Sequence, residues 1–204
     1  GLPLRRELFD PPATPSFSVP PKAPILYITG GSTGAVSLNE LMFPLLERFL
    51  SGWIVIHQTG SPSYEKANGI KQRLAPSLFR RYIIATHFEV SDVAWIYKHA
   101  DLVLGRSGAN TVRELAGLGK MALLVPLPWS AGREQMELAL WLAHEGSAMV
   151  LSQSEANTQN VRHAIDSMWR KRKTFLACAK RVAGTLSLDG AARIVDVLLD
   201  VDST

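Results

Sequence analysis

"ILYITGGSTGAVSLNELMFPLLERFLSGWIVI", residues Ile25 to Ile56, carries two hydrophobic patterns separated by a glycine-rich turn. Ile25 to Ile28 and Trp53 to Ile56 are apolar throughout, the mark of strands covered on both faces, as in a parallel sheet. Between them Leu38, Leu41, Met42, Leu45, Leu46 and Phe49 recur at intervals of three and four, which places them on one face of a helix. A strand, a helix and a second buried strand make a crossover unit, and such units close right-handed.

Outward from this unit the alternation continues. Tyr82 to Ala85, Leu102 to Leu104, Ala122 to Val125 and Ala148 to Leu151 are further apolar runs of strand length with helical patterns between them. They predict an α/β fold, a doubly wound parallel sheet of about six strands with helices on both faces. Two or three helices from about Thr158 to Leu199 would end the chain. Before the first strand, Pro3, Pro11, Pro12, Pro15, Pro20 and Pro21 remove backbone donors and favour extended chain. Residues 1–22 therefore read as a linker and residues 23–204 as one domain.

The whole composition agrees with this scale. A chain of 204 residues, 47% hydrophobic, closes one core but is short for two full domains. Lysine and arginine exceed acids by 22 to 18, a formal charge of +4. Part of the excess gathers at Arg170, Lys171, Arg172, Lys173, Lys180 and Arg181, which fits a solvated helix face or a surface that meets phosphates or membrane. Cys178 is the single cysteine, so an intrachain disulfide and a thiolate metal cluster are excluded, and a reducing, cytoplasmic setting is expected. No stretch approaches the roughly 20 apolar residues that span a bilayer, and any membrane contact is expected to be peripheral.

In an open parallel sheet, ligands bind beyond the carboxyl ends of the strands, where strand order reverses. The unusual residues follow that rule. Gly30-Gly31-Ser32-Thr33-Gly34-Ala35 follows the first strand, His57-Gln58-Thr59-Gly60 the second, His87-Phe88-Glu89 the third and Gly105 to Thr111 the fourth. Pro126-Leu127-Pro128 follows the fifth, with Gln135 near the next helix start. Glycine-rich turns feeding helix amino termini suit a phosphate or diphosphate, because free N–H groups and the helix dipole favour an anion. The first loop is neither a P-loop nor the dinucleotide pattern Gly-x-Gly-x-x-Gly, and a strand-to-helix turn calls for glycine in any case.

Glu114 has two readings. Thr111-Val112-Arg113-Glu114 has the spacing of a capping box, in which threonine and glutamate satisfy backbone donors at a helix start. Alternatively the carboxylate accepts two hydrogen bonds from a ribose diol. His57, His87, His99, His144 and His163 lack metal-ligand spacing and read as packed or surface imidazoles. Asp200-Val201-Asp202 resembles a sugar-transferase metal motif but sits at the terminus and is rejected. Hydrolase readings lack a nucleophile, since no serine sits in a Gly-x-Ser-x-Gly elbow.

Four ordered motifs, "ITGGSTGAVSLNE", "VIHQTG", "ADLVLGRSGANTVRELAGLGK" and "LLVPLPWSAGREQ", together resemble the carboxyl-terminal half of the MurG-type transferases of glycosyltransferase family 28. The opening "GLPLRREL" resembles the segment joining that family's two domains. The resemblance implies a Rossmann-like domain, the donor half of a GT-B fold, binding UDP-N-acetylglucosamine. It implies an acceptor-binding amino-terminal domain outside this chain and a polyprenyl-pyrophosphate-linked muramoyl-pentapeptide acceptor. It also implies location at the inner face of the plasma membrane, no nucleic acid partner and no cofactor.

By resemblance, Ser32 and the loop of Gly30, Gly31, Thr33 and Gly34 would contact the diphosphate, and the main chain at Glu89 would read the uracil edge. Gly108, Ala109, Asn110, Thr111, Val112, Arg113 and Glu114 would surround ribose and phosphate, with Glu114 on the ribose hydroxyls. Gln135 would bind the sugar, and Arg5 would reach the nucleotide. The family works by inversion without a bound metal, and its general base lies in the acceptor half, so no residue of this chain is expected to be catalytic. Leu138 stands where the family often has a sugar-binding asparagine, and Leu2 replaces the usual linker asparagine. That leaves open a glucosyl or galactosyl transfer to diacylglycerol, or a nucleotide-sugar-binding subunit that works with a partner chain.

Overall fold

A computed structural model describes residues 5–31, 35–128 and 133–186. Six parallel strands form one sheet: β1 (Ile25–Thr29), β2 (Ile54–Gln58), β3 (Tyr82–Ala85), β4 (Leu102–Gly105), β5 (Ala122–Leu124) and β6 (Ala148–Val150). Their spatial order is β3-β2-β1-β4-β5-β6, so the winding reverses between β1 and β4. The strands expected at Ala122 to Val125 and Ala148 to Leu151 end one residue earlier. Val125 N–H still donates to the Gly105 carbonyl, and Leu151 N–H to the Leu124 carbonyl.

Period-two side-chain alternation splits the apolar residues between two cores, which is why the strands are apolar throughout. Leu26 and Ile28 face a cluster with Leu38, Met42, Leu46 and Phe49. Ile25 and Tyr27 face the opposite cluster, with Val93, Val112, Leu115 and Leu142. The first face is covered by α1 (Val36–Met42), α2 (Leu46–Leu50), α3 (Ser61–Gln72) and, after the short α4 (Pro76–Phe79), by α8 (Thr158–Arg170). The second is covered by α5 (Val90–His99), α6 (Ala109–Gly117) and α7 (Glu134–His144), with Val182 of α9 (Arg172–Thr185) packed in.

The single helix expected over Leu38 to Phe49 is broken. Phe43–Leu45 forms a 3-10 turn between α1 and α2, because Pro44 has no N–H to give the α-helical ladder. The periodicity survives the break, and all the predicted positions except Leu41 are buried.

The proline-rich segment packs against the sheet. Arg6–Phe9 forms a 3-10 turn whose Leu8 is 1% exposed, in contact with α5. Asp92 then accepts hydrogen bonds from Ser16 N–H at 2.8 Å and from the Ser16 hydroxyl at 2.5 Å. The Phe17 ring meets Trp95 edge-on with centroids 6.0 Å apart and tilts against Phe88. No helix among the described residues is long and apolar enough to cross a membrane.

Candidate functional site

Because all six strands are parallel, every loop that the sequence singles out leaves the same edge of the sheet. At the reversal between β1 and β4 the edge opens into a cleft of about 460 Å³. It is lined by Arg5, Tyr27, Thr29, Gly31, Gln58, His87, Val93, Tyr97, Asn110, Thr111 and Glu114.

The cleft floor is built by close approach. β4 ends at Gly105, where an added Cβ would stand 3.0 Å from the Thr29 carbonyl, so a larger residue would push the two strand ends apart by a few tenths of an ångström. Above it, Gly31 takes φ +83°, a left-handed conformation that costs a larger residue strain, and it lines the cleft. Gln58 holds that turn. Its Nε2 donates to the Gly31 carbonyl at 2.9 Å while its Oε1 accepts from Phe88 N–H at 3.2 Å, tying the first loop to the third. Ser32, Thr33 and Gly34 lie outside the described residues, as do Leu2 and Asp200 to Asp202.

α6 brings the remaining groups. It begins at Ala109 after Gly108, whose backbone is extended and whose carbonyl accepts from Val112 N–H. This corrects the capping-box reading. Glu114 lies six residues into the helix, too far from its start to satisfy a terminal donor. Asn110, Thr111 and Glu114 instead share the helix face that lines the cleft.

Glu114 is nearly buried, with its side chain 8% exposed, and it is paired. Arg5 donates to the same oxygen, Oε1, from Nε at 3.0 Å and from a terminal nitrogen at 2.8 Å. Tyr97 lines the cleft with the carboxylate, and burial, with Tyr27 and Glu114 nearby, holds its phenol well above its usual range. Tyr27 meets Tyr97 edge-on, with centroids 5.6 Å apart at 89°, and burial pushes its own phenol up to about 12. Both tyrosines therefore stay protonated at neutral pH.

The other predicted residues are distributed around this centre. Gly30, Gly108 and Ala109 belong to the loop and helix ends beside the cleft. Val112 is fully buried in the core, and Arg113 is half-buried outside the lining. Glu89 is exposed at the start of α5, its carbonyl accepting from Val93 N–H. Gln135 is at the start of α7, where Oε1 accepts from Leu127 N–H at 3.1 Å and the backbone carbonyl from the Ser107 hydroxyl at 2.7 Å. It thereby ties the loops after β4 and β5 together. Leu138 packs against the core. His57 is a packed imidazole. It spans the Tyr82 hydroxyl and Asn39 at 3.0 and 2.9 Å, and burial pushes it down to about 3.

Four lining residues were not singled out from the sequence: Tyr27, Thr29, Val93 and Tyr97. Tyr27 and Tyr97 sit at otherwise apolar strand and helix positions, where a tyrosine reads as core. Only the fold shows that they line one cleft with Glu114.

The Glycosyltransferase family 28 C-terminal domain model matches residues 25–194, which include every strand and the α6 carboxylate. The chain belongs to glycosyltransferase family 28. The family 28 chain is 31% identical to a UDP-N-acetylglucosamine--N-acetylmuramyl-(pentapeptide) pyrophosphoryl-undecaprenol N-acetylglucosamine transferase of Desulforudis audaxviator. That match covers 98% of this chain and 54% of the relative. It is 33% identical to the transferase of the same name from Stutzerimonas stutzeri, over 98% of this chain and 55% of that one. The family 28 chain thus spans about half the length of the curated relatives it matches. Among solved structures it superimposes on Acinetobacter baumannii MurG with a TM-score of 0.73 at 28% identity, over 88% of this chain and 50% of that one. The calicheamicin glycosyltransferase CalG4, at 20% identity and a TM-score of 0.64, shares the fold.

Proposed function

We propose that the chain is the donor-nucleotide half of a transferase that moves N-acetylglucosamine from UDP-N-acetylglucosamine to a polyprenyl-pyrophosphate-linked muramoyl-pentapeptide. The observation that carries this reading is the cleft at the β1/β4 reversal. There a positive-φ glycine turn, a helix amino terminus and a nearly buried carboxylate meet. Glu114 receives the ribose hydroxyls, and main-chain amides after β1 and at the start of α6 receive the diphosphate.

Arg5 gives this binding a second part. A carboxylate offers about four acceptor positions, and Arg5 occupies two of them on Oε1. A ribose diol that reaches the carboxylate competes with Arg5 for these positions, and Arg5 yields. On nucleotide entry the half-exposed guanidinium turns from Glu114 toward the diphosphate, where its charge offsets that of the leaving UDP.

Transfer proceeds with inversion and without a bound metal, preorganised amides and Arg5 stabilising the departing diphosphate. The base that deprotonates the acceptor belongs to a separate acceptor domain. Residues 1–22 join the halves, and the pair works peripherally at the cytoplasmic membrane face. Calorimetric titration of the chain with UDP, UDP-N-acetylglucosamine, UDP-glucose and UDP-galactose, with and without magnesium, tests the reading. It is supported by UDP binding unchanged by magnesium, with UDP-N-acetylglucosamine bound more tightly than the two hexose donors. A preference for either hexose donor overturns the assigned sugar, and absence of UDP binding overturns the whole reading.

A further inference from the structure

Resting on the reading of the cleft as a nucleotide site, we infer that Arg106 is a further donor-binding residue, a buried guanidinium whose charge is the counterion of the nucleotide's diphosphate. Arg106 follows Gly105 at the end of β4, the strand that meets β1 at the reversal. It is 4% exposed. One terminal nitrogen donates to the Val125 carbonyl, in the loop after β5, at 2.7 Å. The other donates to the Ser37 hydroxyl, in the first turn of α1, at 2.5 Å. Its Nε has no hydrogen-bond partner among the described residues.

Both partners are neutral, and no carboxylate pairs with the guanidinium among the described residues. The sequence supplies hardly any nearby. Thr29 to Ser37 and Gly105 to Arg113 contain no acid, and Val125 to Gln135 contains one, Glu134, which is exposed next to Arg133. A buried charge is ordinarily paired, because leaving water without a counter-charge is costly. A guanidinium kept unpaired within its own chain is suited to a partner that arrives with a ligand.

The position of Arg106 names that ligand. Gly31, near the start of the loop from Gly30 to Ala35, lines the cleft, and Ser37, just past the end of that loop, receives the guanidinium. On its other side, Ser107, Gly108 and Ala109 separate Arg106 from Asn110, which lines the cleft at the start of α6. The charge is thus fixed to both segments that the proposed function gives to the diphosphate. Arg5 and Arg106 differ in kind. Arg5 is 45% exposed and already paired with Glu114, whereas Arg106 is held in place before any anion enters. A charge oriented in advance stabilises an anion without reorganisation, and its attraction acts through space and grows with the charge of the ligand.

The isotopically labelled chain, Arg106→Gln and Arg106→Lys are titrated with UDP, UMP and uridine, affinities being read from amide chemical shifts, and their melting temperatures are recorded. Glutamine keeps a hydrogen-bonding side chain without the charge, and lysine keeps the charge. For Arg106→Gln the expected loss of affinity is about 10-fold for UDP, smaller for UMP and less than about 2-fold for uridine, because the attraction scales with ligand charge. Arg106→Lys should bind UDP more tightly than Arg106→Gln.

An equal loss on all three ligands in Arg106→Gln, UDP affinity within about 2-fold of the parent, or a lysine no better than the glutamine overturns the countercharge role and leaves the nucleotide site intact. If the parent chain binds uridine as tightly as UDP, the loops hold no diphosphate and their reading itself falls. Should Arg106→Gln melt too low to titrate, the Nε resonance of Arg106 in the parent decides. A larger shift with UDP than with uridine supports the proposal, and an equal shift or none overturns it.

Discussion

Replacing Glu114 by glutamine keeps the side chain's size and removes its charge, so it isolates the carboxylate's part in nucleotide binding. A hydrogen bond from a ribose hydroxyl to an ionised, nearly buried carboxylate contributes about 1.5–3 kcal/mol. Two such bonds do not add in full here, because they form as the Arg5 pair on Oε1 breaks. Arg5 is 45% exposed, and a pair so open to solvent contributes about 0–1 kcal/mol, so its loss subtracts little. Glutamine still accepts one bond through its carbonyl. The net loss expected for Glu114→Gln is about 1–2 kcal/mol, or roughly 5- to 30-fold in UDP affinity. Calorimetric titration measures the affinity, and thermal melting of the free protein separates binding from folding. An affinity within 2-fold of the parent, with a lowered melting temperature, would refute the reasoning and leave Glu114 a purely structural partner of Arg5.

Other perturbations probe the frame around the site. Gly105→Ala places a Cβ 3.0 Å from the Thr29 carbonyl and should destabilise the fold by about 1–3 kcal/mol in urea unfolding, whereas an unchanged midpoint would contradict the close-packed strand ends. Gln58→Leu leaves the Gly31 carbonyl and Phe88 N–H without their partner and should lower stability by about 1–3 kcal/mol while weakening UDP binding, both read on one sample. His57 binds its proton in the folded state only near pH 3, against about 6.5 unfolded, so the unfolded chain holds more protons between those values. Its contribution to stability is therefore full above pH 6.5 and falls by about 1.4 kcal/mol per unit as pH drops toward 3. An imidazole resonance of His57 titrating near 6.5 would contradict this.

The sheet was legible because strands buried on both faces must be apolar at every position, a pattern that survives in one dimension. The edge of the sheet carrying the site followed from parallel topology alone. What could not be read was set by contacts distant in sequence. Periodicity from Leu38 to Phe49 ran through Pro44, since a single 3-10 turn hardly disturbs which face is buried. The proline-rich start looked unattached because its anchors, Ser16 on Asp92 and Phe17 on Trp95, lie some 76 to 78 residues along the chain. Thr111 to Glu114 matched a capping box by spacing, but extended backbone at Gly108 had already started the helix. Tyr97 and Tyr27 carried no signal at all, since a tyrosine among apolar neighbours reads as packing.

The most direct test is amide chemical-shift mapping of the isotopically labelled chain during titration with UDP. The account predicts saturable shifts at Gly31, Gln58, His87 and Asn110 to Glu114, with the side-chain Nε resonance of Arg5 moving as its pair with Glu114 opens. Shifts confined to the opposite edge of the sheet, or none at millimolar UDP, would contradict it.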